Sequence, residues 1–108
     1  MELRADIAVI DGSPTLELEG IADLSSLAQL RDALTAAIAA HPGDVLTVDL
    51  DGLAALDDSA LGLLLGAAAT ARDRGGDLVV ACASPSLRAR FERTRLDRAI
   101  EVRQSVLG

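Results

Sequence analysis

Leu56-Asp57-Asp58-Ser59-Ala60-Leu61-Gly62-Leu63-Leu64-Leu65-Gly66 is the stretch on which the fold turns. An apolar strand pattern ends where it begins, and a helix pattern starts inside it. Asp57, Asp58 and Ser59 carry side chains that accept hydrogen bonds from the free backbone N–H groups of a helix start. Gly62 and Gly66, four apart, keep one helix stripe thin. Leu61, Leu64, Leu65, Ala68 and Ala71 repeat at helical spacing up to the wet end Arg72-Asp73-Arg74. Gly75-Gly76 then stops the helix, because glycine takes the left-handed cap conformation without a Cβ penalty.

Working outward, the same unit repeats. Upstream, Asp44–Leu50 is rich in β-formers and predicts a strand. Downstream, Asp77–Cys82 is apolar without alternation, the pattern of a parallel strand covered on both faces. Ser84 and Pro85 suit the cap and first position of another helix, with Leu87, Phe91 and Thr94 inward. Leu96 closes that helix, and Ala99–Val102 reads as a last short strand.

On the N-terminal side, residues 3–10 and 15–19 alternate across the turn residues Asp11-Gly12-Ser13-Pro14, which predicts an antiparallel hairpin ending at Gly20. Ser26 and Gln29 fit a capping box before a helix with Leu27, Leu30, Leu34 and Ile38 on its inner face. Pro42-Gly43 ends it. The order is β-β-α-β-α-β-α-β over residues 1–108. It implies one α/β domain with a mixed sheet and helices packed mainly on one face.

Composition narrows the function classes. Phe91 is the only aromatic residue, so the core is built from Leu, Val, Ile and Ala. Lysine is absent, and the formal charge of −7 argues against nonspecific nucleic-acid binding and against docking on acidic lipids. The charge is uneven. Residues 88–103 carry a local +3, six arginines against three acids, which reads as a solvated helix face or as a partner-docking patch. Cys82 lies in an apolar run and reads as a buried structural thiol. His41, in the last turn of its helix with no second histidine, reads as a dipole partner or surface residue, so no metal site is expected. There is no signal-peptide pattern, and the longest mostly apolar run, Ala60–Ala71, falls short of the roughly 18 residues that span a bilayer. The expectation is a soluble cytoplasmic protein that inserts in no membrane.

Catalytic readings fail on missing partners. Val48-Asp49-Leu50-Asp51-Gly52 looks like the nucleophile motif of haloacid-dehalogenase-type phosphatases, but Leu53 follows it and the required lysine does not exist. A receiver-type phospho-acceptor at Asp57 lacks the same lysine and an early acidic pair. No Gly-rich phosphate loop is present, and His41 is at the far end of another helix. Neither a catalytic residue nor a cofactor is expected. What remains is position: in open α/β sheets, sites lie at the carboxyl ends of parallel strands beside helix N-termini. Ser59 stands there. A phosphate on it would bring about −1.5 to −2 charges to a helix start that tolerates them and to any facing surface that does not. The simpler reading of Asp57-Asp58-Ser59 is a helix cap, worth about 1 kcal/mol.

Asp57-Asp58-Ser59-Ala60-Leu61-Gly62-Leu63-Leu64-Leu65-Gly66-Ala67 resembles the D-S-S-G-L-G-x-L-L-x-A stretch of the anti-sigma factor antagonists of the STAS-domain family. Gly20-Ile21-Ala22-Asp23-Leu24 resembles the family's G-x-L-D-L stretch. Arg74-Gly75-Gly76-Asp77-Leu78 resembles its helix-to-strand turn, and Thr94-Arg95-Leu96-Asp97-Arg98 its T-G-L-D-R stretch. The resemblance implies a binding protein that is not an enzyme. Its partner would be an anti-sigma factor, often a serine kinase of the histidine-kinase-like ATPase fold, whose capture frees a sigma factor. That kinase would phosphorylate Ser59 and end the complex, and a PP2C-type phosphatase would restore it. The implied partner surface comprises Asp23, Leu24, Asp57, Asp58, Ser59, Ala60, Leu61 and Gly62. Three departures from the pattern matter: Asp58 replaces the first serine, Ala60 the glycine after the second, and Arg95 the glycine of T-G-L-D-R. These departures leave room for the family's other role, a non-phosphorylated scaffold subunit of a stress-signalling complex or a lipid-transport ABC system.

Overall fold

The computed structural model describes residues 2–107. It is a five-stranded sheet in the order β1-β2-β3-β4-β5 with three α-helices and two 3₁₀ turns. β1 (Arg4–Ile10) pairs antiparallel with β2 (Ser13–Ala22), and β3 (Val45–Leu56), β4 (Asp77–Ala81) and β5 (Glu101–Arg103) add in parallel. Each parallel strand joins the same side of its predecessor. Right-handed crossovers therefore bring α1 (Leu27–Ala40), α2 (Asp58–Asp73) and α3 (Pro85–Arg93) to one face.

The core lies between that face and the helices. Leu16, Val48 and Val80 are in register across it, with Leu46, Leu50 and Leu78 one step along. α1 contributes Leu30, Leu34 and Ile38, α2 contributes Leu61, Leu64 and Ala68, and α3 contributes the fully buried Phe91. Burying Phe91 contributes about 1.5–3 kcal/mol, which anchors an otherwise polar helix. Thr94 is not inward as its spacing suggested. It is exposed, because its hydroxyl bonds back to the Arg90 carbonyl at 2.8 Å. Val79 and Ala81 are buried on the opposite face, as the unbroken apolar run of β4 implied.

Three boundaries differ from the sequence pattern. The hairpin turn is only Asp11-Gly12, both at positive φ, because Ile10 pairs with Ser13. Ser13 and Pro14 thus belong to β2. The capping box sits one turn earlier than Ser26/Gln29. A 3₁₀ turn, Leu24–Ser26, precedes α1, so Asp23 is the cap and Ser26 its reciprocal partner, while Gln29 Nε2 donates to the Leu3 carbonyl at 2.8 Å. The last strand starts at Glu101, since Ile100 is packed into the core.

A fourth difference shapes the site. β2 passes Gly20 and β3 passes Asp51-Gly52, although both look like strand ends in sequence. They stay paired to Ala22 and Leu56, while β4 leaves β3 at Asp49. Irregular register at Glu17–Glu19 and Gly20–Ile21 bends this two-strand overhang. Glycine is required at both crowded points. A Cβ at Gly20, where φ is +92°, would lie 1.9 Å from the Glu2 carbonyl oxygen, and one at Gly52 would lie 2.5 Å from that of Leu18.

Candidate functional site at the tip of the overhang

The overhang ends in two aspartates. Each caps a helical turn with the same chemistry. Asp57 is extended (φ −92°, ψ 170°), and its carboxylate accepts the Ser59 N–H at 2.9 Å and the Ser59 hydroxyl. Asp23 is extended as well, and accepts the Ser25 N–H at 3.0 Å and the Ser25 hydroxyl at 2.6 Å. The Asp57 N–H donates to the Ala22 carbonyl at 2.9 Å, which ties the two tips together. The Ser59 hydroxyl holds the Asp57 carboxyl below the usual carboxylate range, against burial and the like charge of Asp23. The Ser25 hydroxyl does the same for Asp23.

Ser59 is half-buried on the first turn of α2, and its hydroxyl donates to Asp57 at the sheet end. Asp58 beside it is exposed, and Leu24 across the gap is 74% exposed. Gly62 is exposed one turn along. Asp23, Leu24, Asp57, Asp58 and Ser59 therefore share one end of the sheet, while Gly62 lines the groove between α1 and α2. Ala60 and Leu61 do not belong to that surface. They are 0% and 3% exposed, because the first turn of α2 directs both into the core. The methyl group of Ala60 packs inward, so it presents no bulk to an approaching partner.

One residue at this site has no local sequence signal. Arg90 of α3 reaches 34 positions back to donate to the Leu56 carbonyl, the last of β3, and bonds the Asp58 carboxylate at 2.7 Å. The arginine-rich segment is thus not one solvated face: Arg90 is turned inward, Arg88 approaches the Cys82 carbonyl at 3.5 Å, and Arg93, Arg95 and Arg98 stay exposed. A cavity of about 320 Å³ lies under the overhang between β3 and α3, lined by Leu53, Leu56, Ser84, Leu87, Arg90 and Arg93.

The remaining singled-out residues have structural places. Asp49 accepts the Asp51 N–H at 3.0 Å, and Asp51 accepts the Ala83 N–H at 2.7 Å, so this acidic pair braces the loop after β4. Cys82 is fully buried, and burial pushes its thiol up. His41 caps the C-terminus of α1, with Nδ1 3.9 Å from Asp44. Among the described residues no group of three or more His, Cys, Asp or Glu could hold a metal ion, and no helix is long and apolar enough to cross a membrane.

A family model described as Mlab, STAS domain matches residues 7–106. An anti-sigma factor antagonist from Mycobacterium paratuberculosis superposes with a TM-score of 0.86 at 21% identity, over 97% of this chain and 88% of that one. The Bacillus cell fate determinant SpoIIAA in its phosphorylated form gives 0.67 at 21% identity, over 94% and 90%. A sulfate transporter family protein from Wolinella succinogenes gives 0.73 at 19% identity, over 92% and 82%. At these identities the structural likeness is one of fold.

Proposed function

The chain belongs to the STAS-domain family, and from that premise we propose that it is an anti-sigma factor antagonist switched by phosphorylation of Ser59. The observation that supports this most is the position of the half-buried Ser59: on the first turn of α2, two residues past the Asp57 cap, whose strand tip is tied to that of Asp23. In the unmodified state the end formed by Asp23, Leu24, Asp57 and Asp58 docks on an anti-sigma factor that is itself a serine kinase. In the modification step the Ser59 oxygen bonds to the γ-phosphorus of ATP held by that kinase. The bond to the β-phosphate oxygen breaks, ADP leaves and the hydroxyl proton passes to solvent. The added charge meets the positive end of the α2 dipole, so the helix tolerates it. A partner surface shaped around a neutral hydroxyl does not, and the complex separates. A PP2C-type phosphatase reverses the step by hydrolysis.

The test uses purified protein, candidate anti-sigma kinases and ATP. Phosphate is expected on Ser59 by mass spectrometry, none is expected on Ser59→Ala, and Ser59→Glu is expected to bind at least about tenfold more weakly, a loss of about 1.4 kcal/mol. Phosphorylation of Ser59→Ala would sink the assignment.

A second reading has its own support in Asp58, which sets a fixed negative charge where the antagonists carry a serine. In that reading the same end is a permanent dock on a stress-signalling scaffold or a transporter component, with no modification. Unaltered binding of Ser59→Glu to such a partner, and no phosphate with any kinase, would favour it.

A further inference from the structure

The only proton of the Ser59 hydroxyl goes to Asp57. Replacing it by a phosphoryl group removes that donor and places about −1.5 to −2 charges beside a carboxylate. The surroundings are acidic: Asp57 and Asp58 on the same segment, and Asp23 on the neighbouring tip. The cation that reaches this junction comes from α3. The Arg90 side chain is 26% exposed, against 89% for Asp58, so the guanidinium is fixed by the protein and the carboxylate comes to it. A second N–H of Arg90 holds the Leu56 carbonyl, which keeps the group at the junction whether or not Asp58 is bound.

Resting on the assignment of Ser59 as the modified residue, we propose that Arg90 is the counter-charge of phosphorylated Ser59, and that Asp58 occupies its place in the unmodified protein. A guanidinium presents a planar fork of donors that fits phosphate oxygens in pairs, and it prefers a dianion to a single carboxylate. Asp58 and Ser59 are consecutive on the first turn of α2, and in the proposed exchange the Arg90 fork leaves Asp58 for the phosphate on the next residue while the Leu56 contact persists. The exchange has two consequences. The modified helix start stays tied to α3 although its Asp57 cap is weakened. The released Asp58 carboxylate becomes a free anion on the docking surface, so one modification alters the charge at two adjacent points. Asp58, a departure from the family pattern, becomes in this light the placeholder that keeps an inward arginine satisfied.

The experiment installs phosphoserine at position 59 during translation, so it needs no kinase. Phosphorus NMR then follows the second ionisation of the phosphate in the full chain. The midpoint is expected about half a unit or more lower in the wild type than in Arg90→Gln, because a nearby cation favours the dianion. Asp58→Asn, which frees the guanidinium, is expected to lower it further, and by more when Arg90 is present than when it is Gln. Equal midpoints in wild type and Arg90→Gln, both folded by circular dichroism, overturn the proposal. If Arg90→Gln does not fold, the guanidinium ¹⁵N resonance of Arg90 is compared with and without the phosphate in the wild type: a shift supports the exchange and an unmoved resonance overturns it. Failure of every kinase to modify Ser59, with the midpoint still lowered by Arg90, would remove the switch function and leave the counter-charge standing.

Discussion

The two capping aspartates give the site a pH signature of definite sign. Asp57 and Asp23 both have folded-state carboxyls held below their ordinary value by serine hydroxyls. Each therefore contributes stability that is present above the unfolded value of about 3.9 and is lost as the pH falls through the folded one. Asp57→Asn retains a capping oxygen but not the charge. At neutral pH it is expected to unfold at a lower urea concentration than the wild type, and the gap should narrow as the pH drops below about 4. A gap that stays constant down to acid would show that the Asp57 charge has no role in the fold. Asp57 and Ser59 were legible in sequence because capping is local: donor and acceptor are two residues apart. Arg90 was not, because its partners lie 34 and 32 positions away and nothing in Pro85–Arg93 marks which arginine turns inward. Arg95 was legible only through its family pattern. It takes the left-handed conformation at φ 61°, where glycine is the unstrained choice.

Among the elements, β2 and β3 were the least legible, and for one reason. Gly20 and Asp51-Gly52 are local stop signals, and tertiary pairing overrides both: Gly20 sits opposite Leu53, and Glu19 opposite Gly52. Strand length here is decided by the neighbouring strand and not by propensity. The overhang has β-neighbours on one side only beyond Asp49, so it should open more easily than the sheet centre. Amide exchange at Leu53, Ala55 and Asp57 is expected to be at least about tenfold faster than at Val48 and Val80, and equal protection would mean that the tip is as firm as the core. The helices were more legible: the periodicity of α2 placed Leu61, Leu64, Ala68 and Ala71 on its buried face, although Leu65 of the same stripe is 39% exposed and Ala60 is buried in its stead. Gly62 and Gly66 do not serve close packing: a Cβ at either would meet nothing within 4 Å, and both line a groove of about 280 Å³ with Leu34 and Ile38 of α1. Gly66→Ala should therefore stabilise the protein by about 0.5–1 kcal/mol, as a higher melting temperature. Destabilisation would show that the helix requires glycine there.

At the scale of the molecule, the architecture follows from chain order. One hairpin and three right-handed crossovers, each adding a strand to the same side, leave the sheet with β1 and β5 at its edges and every helix over one face. That arrangement puts the starts of α1 and α2 at the same end, which is why the tips carrying Asp23 and Asp57 meet although they are 34 positions apart in sequence. The overhang adds one more consequence. Past Asp49, β3 has an edge with no strand beside it, the kind of edge on which a foreign peptide can add as a further strand. Here Arg90 takes the Leu56 carbonyl, the Asp51 carboxylate holds the loop after β4 against the edge, and α3 flanks what is left. Both ends of this edge are thereby occupied from within the chain, while Leu53, Ala54 and Ala55 between them line the cavity beside α3. A foreign strand would find only that short middle stretch of edge, so side chains and helix caps make up most of what this end presents.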